Sequence, residues 1–216
     1  MLAFIGGTGP EGMGLAARFA LAGEEVLIGS RSPERAAEAV GRLRELLPEA
    51  PIHGGLNEEV AARADILFLT IPYDGQQELL PRLAGAAAGK VVVSTVSALK
   101  VERGRPYARP VPAGSAAEEA AELLPKARVV GAFHHVGAHQ LLDLSHRLDC
   151  DVLVAGDDRE AKEVVMTLGR KIPGIRTLDA GGLYVCRYLE AFTAVLLSLN
   201  RRYRTTTTLK IVGIDG

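Results

Sequence analysis

The sequence predicts an α/β protein: a Rossmann-like, doubly wound and mostly parallel sheet with a small C-terminal helical appendage. Three observations support this fold class. Short strand-forming runs alternate with amphipathic helical segments along most of the 216 residues. The strand candidates are apolar at nearly every position, as expected for strands that helices cover on both faces. A glycine-rich turn joins the first strand to the first helix.

The first half of the chain contains five predicted strands and four predicted helices. The strands are the runs LAFI, EVLIG, PIHGG, DILFLTIP and KVVVST. The helices are GLAARFALAG, PERAAEAVGRLRELL, NEEVAARA and GQQELLPRLAGAAAG, the last interrupted by Pro81. Gly23 ends the first helix, Pro33 lies in the first turn of the second, and Asn57 is expected to cap the third.

The second half continues the alternation. RVVGAF, CDVLVAG and IRTLDAG predict three more strands, and SAAEEAAELLP and DREAKEVVMTLGRKI predict two helices. Ser115 and Glu118 form a capping-box pattern, and Asp157 and Asp158 are expected to cap the helix after them. The segment KVERGRPYARPVPAG, residues 100–114, is predicted to be a long irregular surface loop.

The C-terminal helix and tail suggest a contact surface. YVCRYLEAFTAVLLSLNRRY is apolar on most sides, which predicts burial against the sheet domain or against a partner subunit. A homodimer is therefore expected. Tyr184 and Tyr188, four positions apart in this segment, are expected to be packing residues, with contact of one of them to an acceptor ring as the alternative. The tail TTTTLKIVGI ends in a β-prone segment.

Composition excludes several classes of function. The net charge is −1 and no basic block is present, which argues against nucleic acid or a membrane surface as partner. No apolar run approaches the roughly 20 residues of a membrane helix. MLAFIGG lacks the features of a signal peptide, so the mature protein is expected to begin at Met1. With only Cys150 and Cys186, no disulfide framework is expected, and the cytoplasm is the predicted compartment.

The turn GGTGPEGMG carries a dinucleotide-binding pattern. Gly7, Gly9 and Gly12 stand in G-x-G-x-x-G register, directly after a strand and at the start of a helix. Such a turn lets a pyrophosphate approach backbone amides at the positive end of the helix. An ordinary glycine-rich strand–helix turn is the alternative. Glu11 is expected to point to solvent, because a carboxylate beside pyrophosphate is unfavourable.

The residues after the second strand favour NADP(H) over NAD(H). NAD-binding versions of the fold carry an acidic residue there for the ribose 2′-hydroxyl. This chain has Ser30 and Arg31, and Arg35 follows one helical turn later. A hydroxyl and two guanidinium groups suit a 2′-phosphate, which a carboxylate would repel. The alternative is that both arginines are simply solvated.

Four motifs in order, GGTG, GSR, LTIP and LDAG, resemble the NADP-dependent oxidoreductases of coenzyme F-420, an 8-hydroxy-5-deazaflavin. The resemblance covers nearly the whole chain, including GDDREAKEVVMTL and CRYLEA. It implies a hydride transfer between NADP(H) and coenzyme F-420. Membrane ferric reductases carry a similar domain, so a different acceptor (a flavin, ferric chelate, imine or carbonyl) stays open. A non-catalytic NADP(H)-binding module is the third alternative.

The resemblance also implies a set of site residues. Those expected along the pyrophosphate are Thr8, Gly9, Pro10, Glu11 and Gly12. Ser30, Arg31 and Arg35 would hold the 2′-phosphate. Those expected beside ribose and nicotinamide are Thr70, Ile71, Pro72, Leu99 and Ala138. The deazaflavin would lie near His134, Val136 and Leu209.

The chemistry expected of this chain needs few catalytic groups. Residues 1–179 are predicted to form the NADP-binding domain, and residues 180–216 a helix and tail at the substrate or dimer region. Little chain remains for a substrate domain, so two flat rings are expected to stack face to face at the strand ends.

His134 either bonds the acceptor carbonyl or the nicotinamide amide, or is a surface or capping histidine. The histidines near it match no zinc framework, so no metal is expected.

Overall fold

The structure is a computed structural model that describes residues 1–214. The strands are β1 (Leu2–Ile5), β2 (Val26–Ser30), β3 (Ile52–Leu56), β4 (Ile66–Leu69), β5 (Val91–Ser94), β6 (Leu99–Glu102), β7 (Arg105–Ala108), β8 (Arg128–Gly131), β9 (Cys150–Gly156) and β10 (Ile175–Gly181). The helices are α1 (Pro10–Leu21), α2 (Pro33–Leu46), α3 (Asn57–Arg63), α4 (Gln76–Ala87), α5 (Ala116–Leu123), α6 (Ala138–Leu142), α7 (Arg159–Arg170) and α8 (Cys186–Tyr203).

Eight strands form one sheet in the order β3-β2-β1-β4-β5-β8-β9-β10. Every neighbouring pair is parallel except β8 and β9, which are antiparallel. The strand order reverses between β1 and β4, so the chain leaves β1 toward one edge and later returns to fill the other. This topology confirms the predicted Rossmann-like, doubly wound sheet. Its carboxyl edge at the reversal is where such folds bind ligands.

The core lies on both faces of the sheet and is densest around four phenylalanines. Phe4 on β1 and Phe68 on β4 stack with ring centroids 4.9 Å apart. Phe19 from α1 lies 5.3 Å from Phe68 and 6.0 Å from Phe133. All four side chains are fully buried. This packing fixes α1 against the sheet and therefore fixes the turn that leads into α1.

Helix α8 buries only one of its sides. Leu189 and Leu196 are buried, whereas Tyr184 and Tyr188 are 58% and 68% exposed. Tyr184 lies in the short helical turn before α8 and Tyr188 in the first turn of α8, so their role as packing residues stays a prediction. Strand β10 continues to Gly181, and the division at residue 179 stays a prediction.

Three local expectations differ from the structure. Residues 100–114 are not irregular throughout, because β6 and β7 pair as an antiparallel hairpin that packs on α8. Asn57 is the first residue of α3 rather than its cap. Asp158 caps α7 by accepting a bond from the Ala161 amide at 2.8 Å, but Asp157 instead accepts one from the amide of Leu183.

Within residues 1–214, no helix has both the length and the hydropathy needed to cross a bilayer.

Candidate functional site

A cleft of about 870 Å³ opens at the carboxyl edge of the sheet, beside the reversal of strand order. Its volume suits a dinucleotide-sized ligand. Thirteen of the predicted site residues line it: Thr8, Gly9, Pro10, Glu11, Gly12, Ser30, Arg31, Arg35, Thr70, Ile71, Pro72, Leu99 and His134. The structure therefore brings together residues from four strand ends that are up to 126 positions apart.

The glycine turn presents the free amino end of α1 to the cleft. Gly9 is the N-cap residue, and no side chain caps the helix. Pro10 has no amide hydrogen, so the amides of Glu11 and Gly12 are left for an anion. A Cβ at Gly9 would meet no atom within 4 Å, whereas one at Gly12 would lie 2.7 Å from the Gly7 Cα. Gly9 thus faces open space for a ligand, and Gly12 allows close packing.

A side chain from α3 braces this turn. The Asn57 Oδ1 accepts a hydrogen bond from the Gly6 amide at 2.9 Å. Asn57 is almost fully buried and also lines the cleft. Gly6 has a φ of +68°, a conformation that favours glycine. Sequence reasoning missed this contact, because nothing local links Asn57 to a turn fifty-one positions earlier.

The β2 end of the cleft is strongly cationic. Ser30 is buried at the end of β2, and its hydroxyl oxygen accepts a bond from the Ser32 amide at 3.2 Å. Arg31 and Arg35 are exposed and line the cleft. Within residues 1–214 neither guanidinium pairs with a carboxylate. Two unpaired cations next to a serine hydroxyl make an anion-binding corner.

Glu11 points into the cleft and not to solvent, which corrects the expectation from the sequence. Burial raises the pKa of its carboxyl to about 7, and the Thr95 hydroxyl just after β5 acts in the opposite direction, as a hydrogen-bond donor that lowers this pKa. A titratable acid therefore lines the cleft.

The β5 end of the cleft is less charged. Thr70 donates from its hydroxyl to the Ile5 carbonyl at 2.9 Å, which ties the end of β4 to β1. Ile71 is buried, and Pro72 precedes a short helical turn. Leu99 begins the hairpin and closes the cleft from the far side. This combination of apolar surface and few hydroxyls suits a flat, uncharged ring.

His134 is buried at this end and carries an unsatisfied ring nitrogen. The side chain is 8% exposed, and its Nε2 has no hydrogen-bond partner within residues 1–214. Burial, with a smaller contribution from His135, lowers the pKa of His134 to about 3, so the ring is neutral at ordinary pH. The surface alternative was therefore wrong. A buried polar atom that lacks a partner suggests a ligand that supplies one.

The residue before His134 has an unusual backbone conformation. Phe133 has a φ of +66°, which is a genuine outlier for a bulky side chain. Its ring packs edge-on against Phe19, which holds the residue in place. The resulting sharp bend at the end of β8 turns the His134 side chain into the cleft. Strain of this kind tends to gather at functional sites.

Four predicted site residues do not line the cleft. Gly7 is buried under the turn, where its amide bonds the carbonyls of Phe4 and Gly29. Val136 lies in the hydrophobic core. Ala138 begins α6, which packs on α1. The Leu209 carbonyl accepts a bond from the Asp151 amide at 2.8 Å, so this part of the tail lies against β9. Their proposed contacts with ligands stay predictions.

Several lining residues were missed from the sequence. Thr193 of α8 enters the cleft and donates weakly to the His134 carbonyl at 3.4 Å. Ser97 lies beside it, with the two hydroxyl oxygens 3.2 Å apart. The remaining unpredicted lining residues are Gly6, Ser32, Asp74, Gly75, Glu78, Leu79, Arg82, Thr95 and Val96. Apart from Gly6, which belongs to the glycine turn, no sequence motif marks these residues, because each reaches the cleft only through the tertiary fold.

Three arginines lie in or directly after the β6–β7 hairpin, and they have different surroundings. Arg109 pairs with Asp74, and its guanidinium lies 5.1 Å from the centroid of the Tyr73 ring. The Tyr73 hydroxyl also donates to the Glu119 carboxylate at 3.1 Å. Tyr73 is thus fixed at the rim of the cleft. Arg103 and Arg105 line a separate open cavity of about 660 Å³ at the tip of the hairpin.

Among residues 1–214, no three His, Cys, Asp or Glu side chains converge as metal ligands would. Cys150 and Cys186 are both free and buried, and burial raises the pKa of the Cys150 thiol to about 11.

The fold and the cleft together define a Rossmann-type dinucleotide-binding protein: the glycine turn, the free helix end and the cationic corner stand at the reversal of strand order. A family model described as "NADP oxidoreductase coenzyme F420-dependent" matches residues 1–98. The chain is 40% identical to the F420-dependent NADP reductase of Methanothermobacter thermautotrophicus, covering 94% of this chain and 90% of the relative. The chain therefore belongs to the family of F420-dependent NADP reductases.

Two further comparisons agree with this assignment. The F420-dependent NADP reductase of Methanocaldococcus jannaschii is 38% identical over 99% of each chain. A solved structure from Arthrobacter sp. FB24, assigned to F420-dependent NADP-reductases, superposes with a TM-score of 0.84. Its sequence is 28% identical to that of this chain, and the superposition covers 98% of each of the two chains. Similarity thus extends over both the sheet and α8.

Proposed function

We propose that this protein is an oxidoreductase that transfers a hydride between NADP(H) and coenzyme F-420. One observation carries the proposal: a single cleft joins an anion-binding corner to a buried, nearly uncharged end with an unsatisfied histidine nitrogen. The first suits a phosphorylated dinucleotide, and the second suits a flat redox ring. The names of the curated relatives support the same pair of substrates.

The cationic corner supports NADP(H) as the dinucleotide. Ser30 offers a hydroxyl at the end of β2, and Arg31 and Arg35 offer guanidinium groups that pair with no carboxylate among residues 1–214. Guanidinium groups bind phosphate oxygens in forked pairs of charge-assisted hydrogen bonds. The pyrophosphate would then lie at the amides of Glu11 and Gly12, where the helix dipole favours negative charge.

The β5 end supports a stacked arrangement of the two rings. Ile71, Pro72 and Leu99 offer apolar surface for the nicotinamide, and α8 encloses the cleft from the other side through Thr193. The two cofactors supply the hydride chemistry when bound, and the protein supplies proximity and orientation. Val136, Ala138 and Leu209 are proposed as outer neighbours of this region.

His134 is proposed to orient the acceptor. Its imidazole is neutral, so one ring nitrogen carries a hydrogen and the other can accept one. The Nε2 is buried and unpartnered, ready to bond a ring carbonyl or a nicotinamide amide. A neutral histidine also avoids repelling the positive ring of NADP⁺. Its role is therefore to position a ring and not to supply a cationic acid.

Two further features of this proposal concern the protein in solution. We propose a homodimer through the outer side of α8 and the turn before it, where Tyr184, Tyr188, Phe192 and Val195 leave aromatic and aliphatic surface exposed. The two free, buried cysteines fit a reducing compartment, and we propose the cytoplasm.

The direct test is to mix the protein with NADPH and coenzyme F-420 and follow the deazaflavin absorbance. Bleaching that depends on both substrates is expected. Turnover with a flavin, imine or ferric chelate, but none with F-420, would assign a different acceptor. Tight NADPH binding without turnover of any acceptor would instead favour a non-catalytic binding module.

A further inference from the structure

The side chain of Asn57 lies between two walls of the proposed dinucleotide site. On one side, its Oδ1 accepts the hydrogen bond from the Gly6 amide in the glycine turn. On the other side it packs against β2, since a Cβ at Gly29 would lie 2.7 Å from the same oxygen. Gly29 directly precedes Ser30 of the cationic corner. Asn57 therefore stands between the residues proposed for the pyrophosphate and those proposed for the 2′-phosphate.

The contact with Gly6 fixes the orientation of the Asn57 amide group. A backbone N–H can only donate, so the atom that faces Gly6 is the side-chain oxygen and not the nitrogen. A flipped amide group would set two donors against each other. The Nδ2 is therefore the other branch of the amide group, and it carries two hydrogens that can be donated.

The Nδ2 of Asn57 has no partner of its own in the described part of the chain. The bond from Gly6 is the hydrogen bond that this side chain makes there, and it uses the oxygen alone. The residue is only 1% exposed, and it lines the cleft. A buried amide donor without a partner is unfavourable, and native structures nearly always satisfy such groups. A ligand in the cleft can supply the missing acceptor.

We propose that Asn57 binds the dinucleotide directly, with its Nδ2 donating to an oxygen of the adenosine ribose or of the 5′-phosphate attached to it. In NADP(H) this part of the molecule connects the 2′-phosphate to the rest of the pyrophosphate, and Asn57 stands between the proposed sites of both. The inference rests on the proposed function, because it needs NADP(H) in the cleft. NADPH and NADH share this part of the molecule, so the contact strengthens the binding of both.

The small number of asparagines allows a direct measurement, because the chain contains only Asn57 and Asn200. Full-length protein labelled with ¹⁵N in the asparagine side chains gives two pairs of amide signals in an NMR spectrum. The Asn200→Asp variant lacks one pair and so assigns both. When NADPH is titrated in, one hydrogen of the Asn57 pair should move downfield and exchange more slowly with water.

Asn200 is the internal control for this spectrum. It lies on α8 outside the cleft, and its Oδ1 accepts hydrogen bonds from the amide and the hydroxyl of Thr207 at 2.6 and 2.7 Å. Both asparagines thus use their oxygen within the protein, but only Asn57 lines the cleft. The signals of Asn200 should stay in place when NADPH binds.

Affinity measurements separate a contact with the ligand from simple support of the turn. Asn57→Asp keeps an oxygen for the Gly6 amide but replaces the two donated hydrogens by a negative charge. The Kd values for NADPH and for NADH should each rise at least about tenfold, the factor that corresponds to one hydrogen bond to a charged group. Asn200→Asp adds the same charge outside the cleft and should leave both Kd values unchanged.

The outcomes separate the two proposals. Asn57 signals that do not move when NADPH fluorescence shows saturation, or wild-type affinity in Asn57→Asp, would overturn the contact while leaving the cofactor in place. Failure of NADPH to bind the wild type would overturn the cofactor assignment and with it this inference.

Discussion

Removing the cationic corner should abolish the preference for NADPH, so that the protein binds NADPH and NADH with similar affinity. The perturbations are Arg31→Ala and Arg35→Ala, singly and together. Each side chain is exposed and has no carboxylate partner in the described part of the chain, so each contact with the 2′-phosphate belongs at the low end of charged hydrogen bonds, about 1.5 kcal/mol. Since 1.4 kcal/mol is a tenfold change in affinity, each single variant should weaken NADPH binding about tenfold.

The double variant needs separate treatment, because both side chains would contact the same phosphate. Contacts that share a partner are not strictly additive, so the combined loss should lie between about tenfold and 100-fold. The matched control is Arg42→Ala, which removes an exposed arginine from the same helix at a position outside the cleft. It should leave NADPH affinity unchanged.

The assay is a Kd for NADPH and for NADH by fluorescence titration, at low and at high salt. NADH affinity should change little in every variant, because NADH lacks the 2′-phosphate. The loss for NADPH should shrink at high salt, because salt screens exposed charges. An equal loss for both nucleotides, or none for NADPH in the double variant, would refute the assignment of the corner.

Three other predictions concern the turn and the core. Gly12→Ala should abolish NADPH binding with the protein still folded by circular dichroism, because its Cβ would lie 2.7 Å from the Gly7 Cα and displace the turn. Arg18→Met should lower the free energy of unfolding by about 3 kcal/mol in urea titrations, because the buried guanidinium donates to four backbone carbonyls. Asp151→Asn should be destabilising at pH 7 and less so at pH 3. The hydrogen bond that Asp151 accepts from Arg176 holds the pKa of the Asp151 carboxyl below its ordinary value. The ionised carboxylate therefore stabilises the fold fully at pH values above the ordinary carboxyl pKa, and this stabilisation is lost as the pH falls through the lowered pKa. Equal losses of unfolding free energy at pH 7 and pH 3 would contradict this reasoning.

Much of the sheet and the glycine turn could be predicted from the sequence because the signals are local. A strand, a tight turn and a helix stand next to one another in the first 21 residues, and the fingerprint fixes their geometry. The cationic corner was predictable for the same reason, since Arg31 and Arg35 follow β2 directly. The antiparallel hairpin was missed because its prolines and charges resemble a loop.

The β5 end of the cleft depends on contacts between distant segments, and the orientation of its side chains could not be predicted from the sequence. Glu11 lines the cleft together with Thr95, which is 84 positions further along the chain. His134 is buried after the left-handed bend at Phe133, and its backbone carbonyl accepts a bond from Thr193 of α8. Thr193 belongs to no sequence motif. Burial of polar groups by tertiary packing, and the pKa shifts it causes, has no signature in local residue patterns.

The central claim is a direct hydride transfer between two rings held in one cleft. The most direct measurement uses NADPH that carries deuterium at the transferable position of the nicotinamide, with coenzyme F-420 as acceptor in ordinary water. Mass spectrometry of the reduced F-420 should find the deuterium retained. Reduced F-420 without the label, or no reduction at all in the presence of bound NADPH, would contradict the account.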